Sequence, residues 1–473
     1  MRISVIGCGY LGAVHAAAMA SIGHEVVGVD VDEEKVRRLS RGSAPFFEPE
    51  LDSLLTAGIA SGSLRFSVDP REARDATVHF ISVGTPQQAG SDAADLTHLD
   101  GAVSALMAAV KDGDIVVGKS TVPVGTAERM AQRLRGTGAT LVWNPEFLRE
   151  GWAVKDTVDP DRLVVGVPVL GDDAAASLPG TPTPEGERAA AVLREVFAPA
   201  IATGTPFLVT DYATAELVKV AANAFLATKI SFINAMAEIA ESTGADVVQL
   251  ADALGRDARI GHRFLGAGIG FGGGCLPKDI RAFTARAEEL GQGDAVRFLR
   301  EVDEINLRRR DRPVALATEA LSGSVHGRRI TVLGAAFKPH SDDVRDSPGL
   351  HIAARLHGLG AHVTVTDPAA LENARRAHPE LSYVADRDHA LRGAEVVLVV
   401  TGWDDYRHAL DPERAGALVS VKTVIDGRNC LDPSSWRTAG WDYYGMGRPS
   451  VRSRAAVRSR AALDDRAVSG ALV

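Results

Sequence analysis

RISVIGCGYLG, residues 2–12, is an apolar run that breaks into glycines at positions 7, 9 and 12. RISVIG has the length and the Val/Ile content of a strand buried on both faces. LGAVHAAAMASIG, directly after it, has the composition of a helix that stops at Gly23. The same alternation continues outward. EVVGVDVD predicts a second strand and DEEKVRRLSRG a second helix, and ATVHFISVGTP (76–86) and DIVVGKSTVPVG (114–125) predict further strands around an alanine-rich helix. Strands apolar on both faces, separated by helices, imply a parallel sheet covered on both sides.

The opening theme returns late in the chain. RRITVLGAAFKP (328–339) echoes RISVIGCGYLG, GAHVTVTDP (360–368) echoes GHEVVGVDVD, and AEVVLVVTGW (394–403) echoes ATVHFISVGTP. Three matching strands in the same order argue for two related nucleotide-binding-type units. Between them DYATAELVKVAANAFLATKISFINAMAEIAEST, from Asp211 to Thr243, contains no Gly or Pro and predicts one long helix. Further helices are expected to about Leu321. The fold class is therefore α/β, with two Rossmann-like, doubly wound parallel-sheet domains joined by a long central helix and a helical domain. The expected segments are 1–205, 206–321, 322–446 and a basic tail, 447–473, whose RSRAAVRSRAAL has few large apolar residues. Residues 171–187 read as a Pro/Gly/Thr-rich loop.

The totals narrow the function. The 473 residues carry 52 Lys and Arg against 61 Asp and Glu, a formal charge of -9, which disfavours a general nucleic-acid binder. Cys8, Cys275 and Cys430 are too far apart for a disulfide framework or a metal cluster, so reduced thiols and no metal are expected. Met1 leads straight into a strand, and no apolar run approaches the length of a bilayer span, so the expectation is a soluble, cytoplasmic protein.

Gly7, Gly9 and Gly12, with Tyr10 and Leu11 between the last two, sit where a strand becomes a helix. That spacing permits a tight turn, close approach of a pyrophosphate and close helix–strand contact. Asp30, at the end of the second strand, is placed to accept ribose hydroxyls and to repel a 2′-phosphate, which favours NAD over NADP; Lys35 softens that preference. Val83, Gly84, Thr85 and Pro86, and then Ser120 and Thr121, end two later strands on the same carboxyl edge and are candidate cofactor contacts.

GIGFGGGCLPKD, 268–279, presents Cys275 behind three glycines and ahead of a helix that Pro277 is suited to open. A helix N-terminus and the adjacent Lys278 favour a thiolate, so Cys275 reads as a nucleophile rather than a core residue. A thiolate beside NAD can trap an aldehyde and be oxidised with it to a thioester, which water cleaves to an acid. Lys219 and Asn223, four apart on the long helix, share a face and can steady an oxyanion. Glu146 and Glu150, in WNPEFLREG, are candidate acids for activating water, although either alone reads as an ordinary surface carboxylate.

Taken together, GFGGGCLPKD, NPEFLREG, ELVKVAANAFLATKISFINAMAE, AFKPHSDDVRDSP and IDGRN, in this order, resemble the UDP-glucose 6-dehydrogenases of the UDP-glucose/GDP-mannose dehydrogenase family over nearly the whole chain to about Gly447. The resemblance implies NAD-dependent, two-step oxidation of UDP-glucose to UDP-glucuronate, a UDP-binding C-terminal domain and a homodimer built on the long helix. Carried over by motif, Cys275 is the nucleophile and Asp279 assists with a water or proton. Lys219 and Asn223 hold the oxyanion, and Thr121 and Glu146 handle water and proton transfer. Glu150, Lys278 and Arg345 touch the cofactor. Glu146, Phe147, Leu148, Lys219, Asn223, Arg259, Phe264, Phe271, Gly272, Lys338 and Arg428 line the sugar-nucleotide site, with Arg259 acting across the subunit boundary. Gly274 departs from the pattern, which usually has Ser or Ala before the cysteine; a looser loop is the expected consequence.

Two sister activities, on GDP-mannose or UDP-N-acetylmannosamine, share the cysteine and the two-step chemistry. A one-step hydroxyacid-type dehydrogenase would need the Lys/Asn pair without the cysteine, and a silent NAD-binding scaffold would leave Cys275 without a reason to be bare.

Overall fold

The computed structural model describes residues 1–171 and 180–449. Residues 172–179 of the 171–187 loop and residues 450–473 of the expected basic tail lie outside the described residues. Of the remainder, Pro184 already opens a helix, Pro184–Val196. Gly447 donates to Glu241 and Arg448 pairs with Asp246 at 3.1 Å, so both are held against the helical segment.

The chain divides into two compact units. The first comprises Met1–Asn223 and Lys278–Val296. Its strands are β1 (Arg2–Ile6), β2 (Glu25–Val29), β3 (Leu64–Ser67), β4 (Val78–Ile81), β5 (Ile115–Gly118), β6 (Thr140–Trp143), β7 (Leu163–Gly166) and β8 (Phe207–Thr210). They form one sheet in the order β3-β2-β1-β4-β5-β6-β7-β8. All neighbours are parallel except β6 and β7, which meet antiparallel at Trp143 and Gly166; this departs from a wholly parallel sheet. Alternate side chains feed two apolar layers, one on each face. Val5, Phe80, Val117 and Val142 pack with Val14, Met19 and Leu193. Their chain neighbours Ile6, Ile81, Val116 and Leu141 pack with Leu99, Val103 and Met130. Burial on both faces is why these strands read as unbroken apolar runs.

The second unit comprises Ala224–Pro277 and the chain from Arg297 onward. Its strands, β9 (Arg329–Leu333), β10 (His362–Thr366), β11 (Ser382–Tyr383), β12 (Val396–Val399), β13 (Thr423–Asp426) and β14 (Asp442–Gly445), pair in the order β11-β10-β9-β12-β13-β14. All are parallel. Read from their own first strands, both sheets contain the order 3-2-1-4-5-6, so the repeated motifs fold as repeats.

The long helix spans Tyr212–Thr243, 32 residues, within one residue of the sequence expectation. The unit boundary falls inside it, between Asn223 and Ala224. Contrary to the sequence expectation, its length and composition would allow it to cross a membrane. Its buried face, however, carries Glu216, Lys219, Asn223, Ser231 and Asn234, the pattern of a core helix in a globular protein.

The repeat extends to hydrogen bonds. Gly7 N donates to Val29 O at 2.7 Å and Gly334 N to Thr366 O at 2.8 Å. Cys8 N donates to Asp30 Oδ2 at 2.7 Å, and Ala335 N to Asp367 Oδ2 at 2.7 Å. Asp367 also accepts from Ala336 N, Ala369 N, Ala370 N and the Trp403 indole. Asp367→Ala strands several buried donors at once, each costing about 1–3 kcal/mol. We expect it to lower stability by about 3 kcal/mol or more in a urea titration followed by tryptophan fluorescence; an unchanged midpoint would show that the carboxylate is dispensable.

Candidate active site

The first site element is the turn after β1. Gly7 adopts φ +87, and a Cβ there would strike Val83; a Cβ on Gly12 would collide with the Gly7 carbonyl. The first helix, Tyr10–Ser21, therefore lies closer to β1 than any side chain would allow. A Cβ on Gly9 or on Gly84 would meet nothing, so the backbone faces open space where the fingerprint expects a pyrophosphate. These residues fit a dinucleotide. Asp30, 7% exposed, accepts from Cys8 N and from Lys35 Nζ at 3.0 Å to each of its oxygens. Lys35 thus partly neutralises the acid expected to disfavour a 2′-phosphate. The hydroxyls at the next two strand ends tie loop to loop: Thr85 donates to Thr121 O at 2.8 Å and Ser120 to Val83 O at 2.7 Å.

Glu48 gives this cradle a second support that the sequence reading missed. It is buried, and its carboxylate accepts from Gly151 N at 2.6 Å and Ala153 N at 2.7 Å. The Tyr10 hydroxyl donates to it as well, so Tyr10 is committed to the loop that carries Glu150. Burial pushes the Glu48 carboxyl up, while the hydrogen bonds it accepts oppose that rise.

The long helix supplies the reactive-looking pair. Lys219, buried, forms an ion pair with Glu146 at 3.0 Å. Glu146 also accepts from Leu148 N at 2.7 Å, which folds NPEFLREG back on itself. Phe147 lies beneath two cations, with Arg162 4.0 Å and Lys219 5.5 Å from its ring centroid. One turn on, Asn223 Nδ2 donates to Asp279 Oδ2 at 2.6 Å, and Lys278 pairs with Asp279 Oδ1 at 2.5 Å. The structure therefore joins Lys219 to Glu146, and Asn223 to Asp279 and Lys278. Thr121, Lys278 and Asp279 line one crevice of this unit with Thr85, Pro86 and Val220.

Glu216, one turn before Lys219, also went unread. It accepts from Gly125 N at 2.7 Å and Ala127 N at 2.6 Å, and so caps the helix Thr126–Leu134. Burial pushes it up to about 7. Its effect is to anchor the long helix to the loop containing Thr121.

In the second unit, Cys275 is an exposed thiol outside any disulfide, immediately ahead of the helix Leu276–Glu289. The glycines before it are crowded by other chain segments. A Cβ on Gly272 would strike the Asp346 carbonyl, and one on Gly274 would fall on the Arg345 guanidinium. Gly273 N donates to Arg345 O at 2.9 Å, and Arg345 pairs with Asp343. The bare glycine at 274 thus leaves room for the Arg345 guanidinium. Phe271 is clamped on both sides by Asn306, whose Oδ1 accepts from Phe271 N at 2.7 Å and whose Nδ2 donates to Phe271 O at 3.0 Å.

Arg428, half-buried, donates to Val400 O at 2.7 Å, Gly270 O at 2.8 Å and Phe337 O at 3.3 Å, and burial pulls it down to about 10. It ties together the loops that follow β9, β12 and β13. Lys338 Nζ lies 5.3 Å from the Phe337 ring centroid. Phe264 takes a left-handed φ of 65, and Arg259 pairs with its neighbour Asp257 on the surface. Among the described residues no cluster of His, Cys, Asp or Glu is placed to hold a metal ion.

Comparison with known proteins agrees with this geometry. Residues 1–176 match the NAD binding domain of the UDP-glucose/GDP-mannose dehydrogenase family, 213–308 its central domain and 331–433 its UDP binding domain. The chain is 39% identical to UDP-glucose 6-dehydrogenase of Rhizobium meliloti over 454 residues, covering 95% of this chain and 100% of that one. A UDP-glucose dehydrogenase structure from Pyrobaculum islandicum is 38% identical with a TM-score of 0.83, covering 95% of this chain and 98% of that one. A UDP-D-ManNAc dehydrogenase structure from Pyrococcus horikoshii is 26% identical with a TM-score of 0.79, covering 95% and 99%. With a dinucleotide cradle, a glycine-flanked cysteine and two nucleotide-type sheets in that arrangement of domains, the chain belongs to the UDP-glucose/GDP-mannose dehydrogenase family.

Proposed function

We propose that this protein oxidises UDP-glucose to UDP-glucuronate with NAD, in two steps that share one cysteine. The observation that carries the reading is the placement of Cys275 directly ahead of a helix whose first turn supplies Asp279, the carboxylate that holds Asn223. NAD, when bound, accepts a hydride in each oxidation. Removal of hydride and proton from the sugar's primary alcohol leaves an aldehyde. The Cys275 thiolate adds to it as a thiohemiacetal, and loss of a second hydride gives a thioester. Water then breaks the C–S bond, releasing the acid and restoring the thiol.

Lys219 and Asn223 steady the oxyanion, and Glu146, Asp279 and Thr121 position water and move protons. In support, Lys219 and Asn223 already face carboxylates at 3.0 and 2.6 Å. Asp30 selects NAD through the ribose hydroxyls, and Glu150, Lys278 and Arg345 add cofactor contacts. Phe147, Leu148, Arg259, Phe264, Phe271, Gly272, Lys338 and Arg428 form the sugar-nucleotide site. The chain then works as a cofactor segment (1–205), a central helical segment (206–321) and a UDP-sugar segment (322–446) of a cytoplasmic enzyme. The higher identity to the Pyrobaculum UDP-glucose dehydrogenase, 38% against 26% to the UDP-D-ManNAc enzyme, supports UDP-glucose over an N-acetylated sugar.

A homodimer through the long helix belongs to the same proposal. Phe225, Phe232 and Ile239 recur every seven residues and are 67%, 48% and 55% exposed, an apolar seam suited to a second helix.

Two tests follow. With UDP-glucose as substrate, two NADH should form per UDP-glucuronate, and Cys275→Ser should lower acid formation by about three orders of magnitude or more. Full acid formation by that variant would discard the thioester route, and one NADH per sugar would point to single-step oxidation. Phe232→Glu should convert a dimer to a monomer in light scattering; an unchanged mass would move the interface elsewhere.

A further inference from the structure

Lys119 follows β5 directly, two residues before Thr121, and neither the motifs nor the proposed chemistry uses it. It is 6% exposed. Its Nζ donates to Asn144 Oδ1 at 2.9 Å, and Asn144 Nδ2 donates to Val164 O at 2.8 Å. The ammonium lies 5.9 Å from the Phe80 ring centroid and 5.8 Å from that of Phe197. With His15, Asn144, Glu146 and Phe147 it lines a cavity of about 40 Å³.

The chamber is polar in an unusual way. Both ring nitrogens of His15 are buried and without a protein partner, and burial holds that imidazole neutral, so it offers one donor and one acceptor to ordered water. Around Lys119 stand His15 on the first helix, Lys219 on the long helix, and Asn144 and Glu146 after β6; Asp156, Asp161 and Arg162 line the rest of the cavity. A solitary buried ammonium is costly. Glu146 favours this one and Lys219 opposes it, so two cations compete for one carboxylate.

We propose that Lys119 is a positioning residue of the oxidation centre, its charged ammonium fixing Asn144 and restraining Glu146 so that the Glu146–Lys219 pair keeps its geometry at the reacting oxygen. This rests on the functional reading above, in which Glu146 and Lys219 serve the reaction. Burial pulls Lys119 down to about 8, with Glu146 countering and Lys219 reinforcing the fall. The restraint is therefore present below that pH and lost as pH rises through it.

The test compares kcat against pH for the parent, Lys119→Met and Asn144→Asp. The parent should lose turnover with a midpoint near 8. Lys119→Met should turn over about ten- to a hundred-fold more slowly at pH 7.5, the upper figure being what a 1 Å misplacement costs. It should lack that limb and keep its KM for NAD. Asn144→Asp, which adds a carboxylate beside the ammonium, should move the limb to higher pH. It carries the test alone if the methionine variant does not fold.

An arm without turnover reads the same group. A lysine that binds its proton less tightly when folded penalises the folded state below its folded pKa, and the penalty is relieved as pH rises toward the unfolded value. The stability advantage of Lys119→Met should therefore shrink between pH 8 and about pH 10. A parent without the limb, or a limb unmoved in both variants while UDP-glucose is still oxidised, would overturn the role of Lys119 alone. Absence of any turnover on UDP-glucose would overturn the functional reading and this proposal with it.

Discussion

A carboxylate at the end of the second strand, gripping the first peptide N–H after the glycine that ends the first, is the contact on which both sheets of this protein are built. Asp30 grips Cys8 N and Asp367 grips Ala335 N, each at 2.7 Å. In each unit it fixes the turn at the point where strand order reverses, which is where an open α/β sheet receives a ligand. The two uses then diverge. Asp367 is saturated by four backbone N–H groups and an indole, which leaves it a purely architectural acid. Asp30 accepts from only two backbone amides, Cys8 N and Asp32 N, and shares both oxygens with the Lys35 ammonium.

The connection after that turn explains why one fingerprint was visible and the other was not. In the first unit the turn leads directly into a helix, and Gly12 meets Gly7 across a contact no side chain would permit. In the second, Gly349 takes the corresponding place in the helix Pro348–Gly358, but Gly334 to Gly349 is ten residues longer than Gly7 to Gly12. Ser347 closes the longer loop by donating to Ala335 O at 2.7 Å while capping that helix. The inserted residues carry Lys338, Arg345 and Asp346. A glycine-spacing motif cannot survive such an insertion, whereas the alternation of apolar strands can. The repeat was therefore legible through β9, β10 and β12 and not through its turn.

What the sequence hid has a common physical cause. Strands β1, β2, β4, β5, β9, β10 and β12, the long helix and the Lys219–Asn223 face follow from local periodicity, and the reading found them. Glu48, Glu216 and Lys119 take their importance from partners far away in the chain: Glu48 and Gly151 are 103 residues apart, and Glu216 and Gly125 are 91. A glutamate in FFEPE or a lysine in VVGKST has no local pattern that announces burial. The antiparallel meeting of β6 with β7 is of the same kind, because an apolar strand does not state its direction.

These long-range contacts also clarify how the candidate site keeps its shape. Several loops at the carboxyl edge of the first unit's sheet are tied down by a buried acid or by a hydroxyl donating to a carbonyl, with Glu48 behind one loop and Glu216 behind another. In the second unit an arginine and an asparagine do the equivalent work, since Arg428 gathers three carbonyls and Asn306 clamps Phe271. Gly274 belongs to this scheme. Where a serine or alanine would place a Cβ, this chain places the Arg345 guanidinium, itself aligned by Asp343. A planar cation that can slide constrains a peptide less rigidly than a methyl group does, but it brings positive charge to the residue before the proposed nucleophile. The glycine is then an exchange of steric restraint for electrostatic restraint.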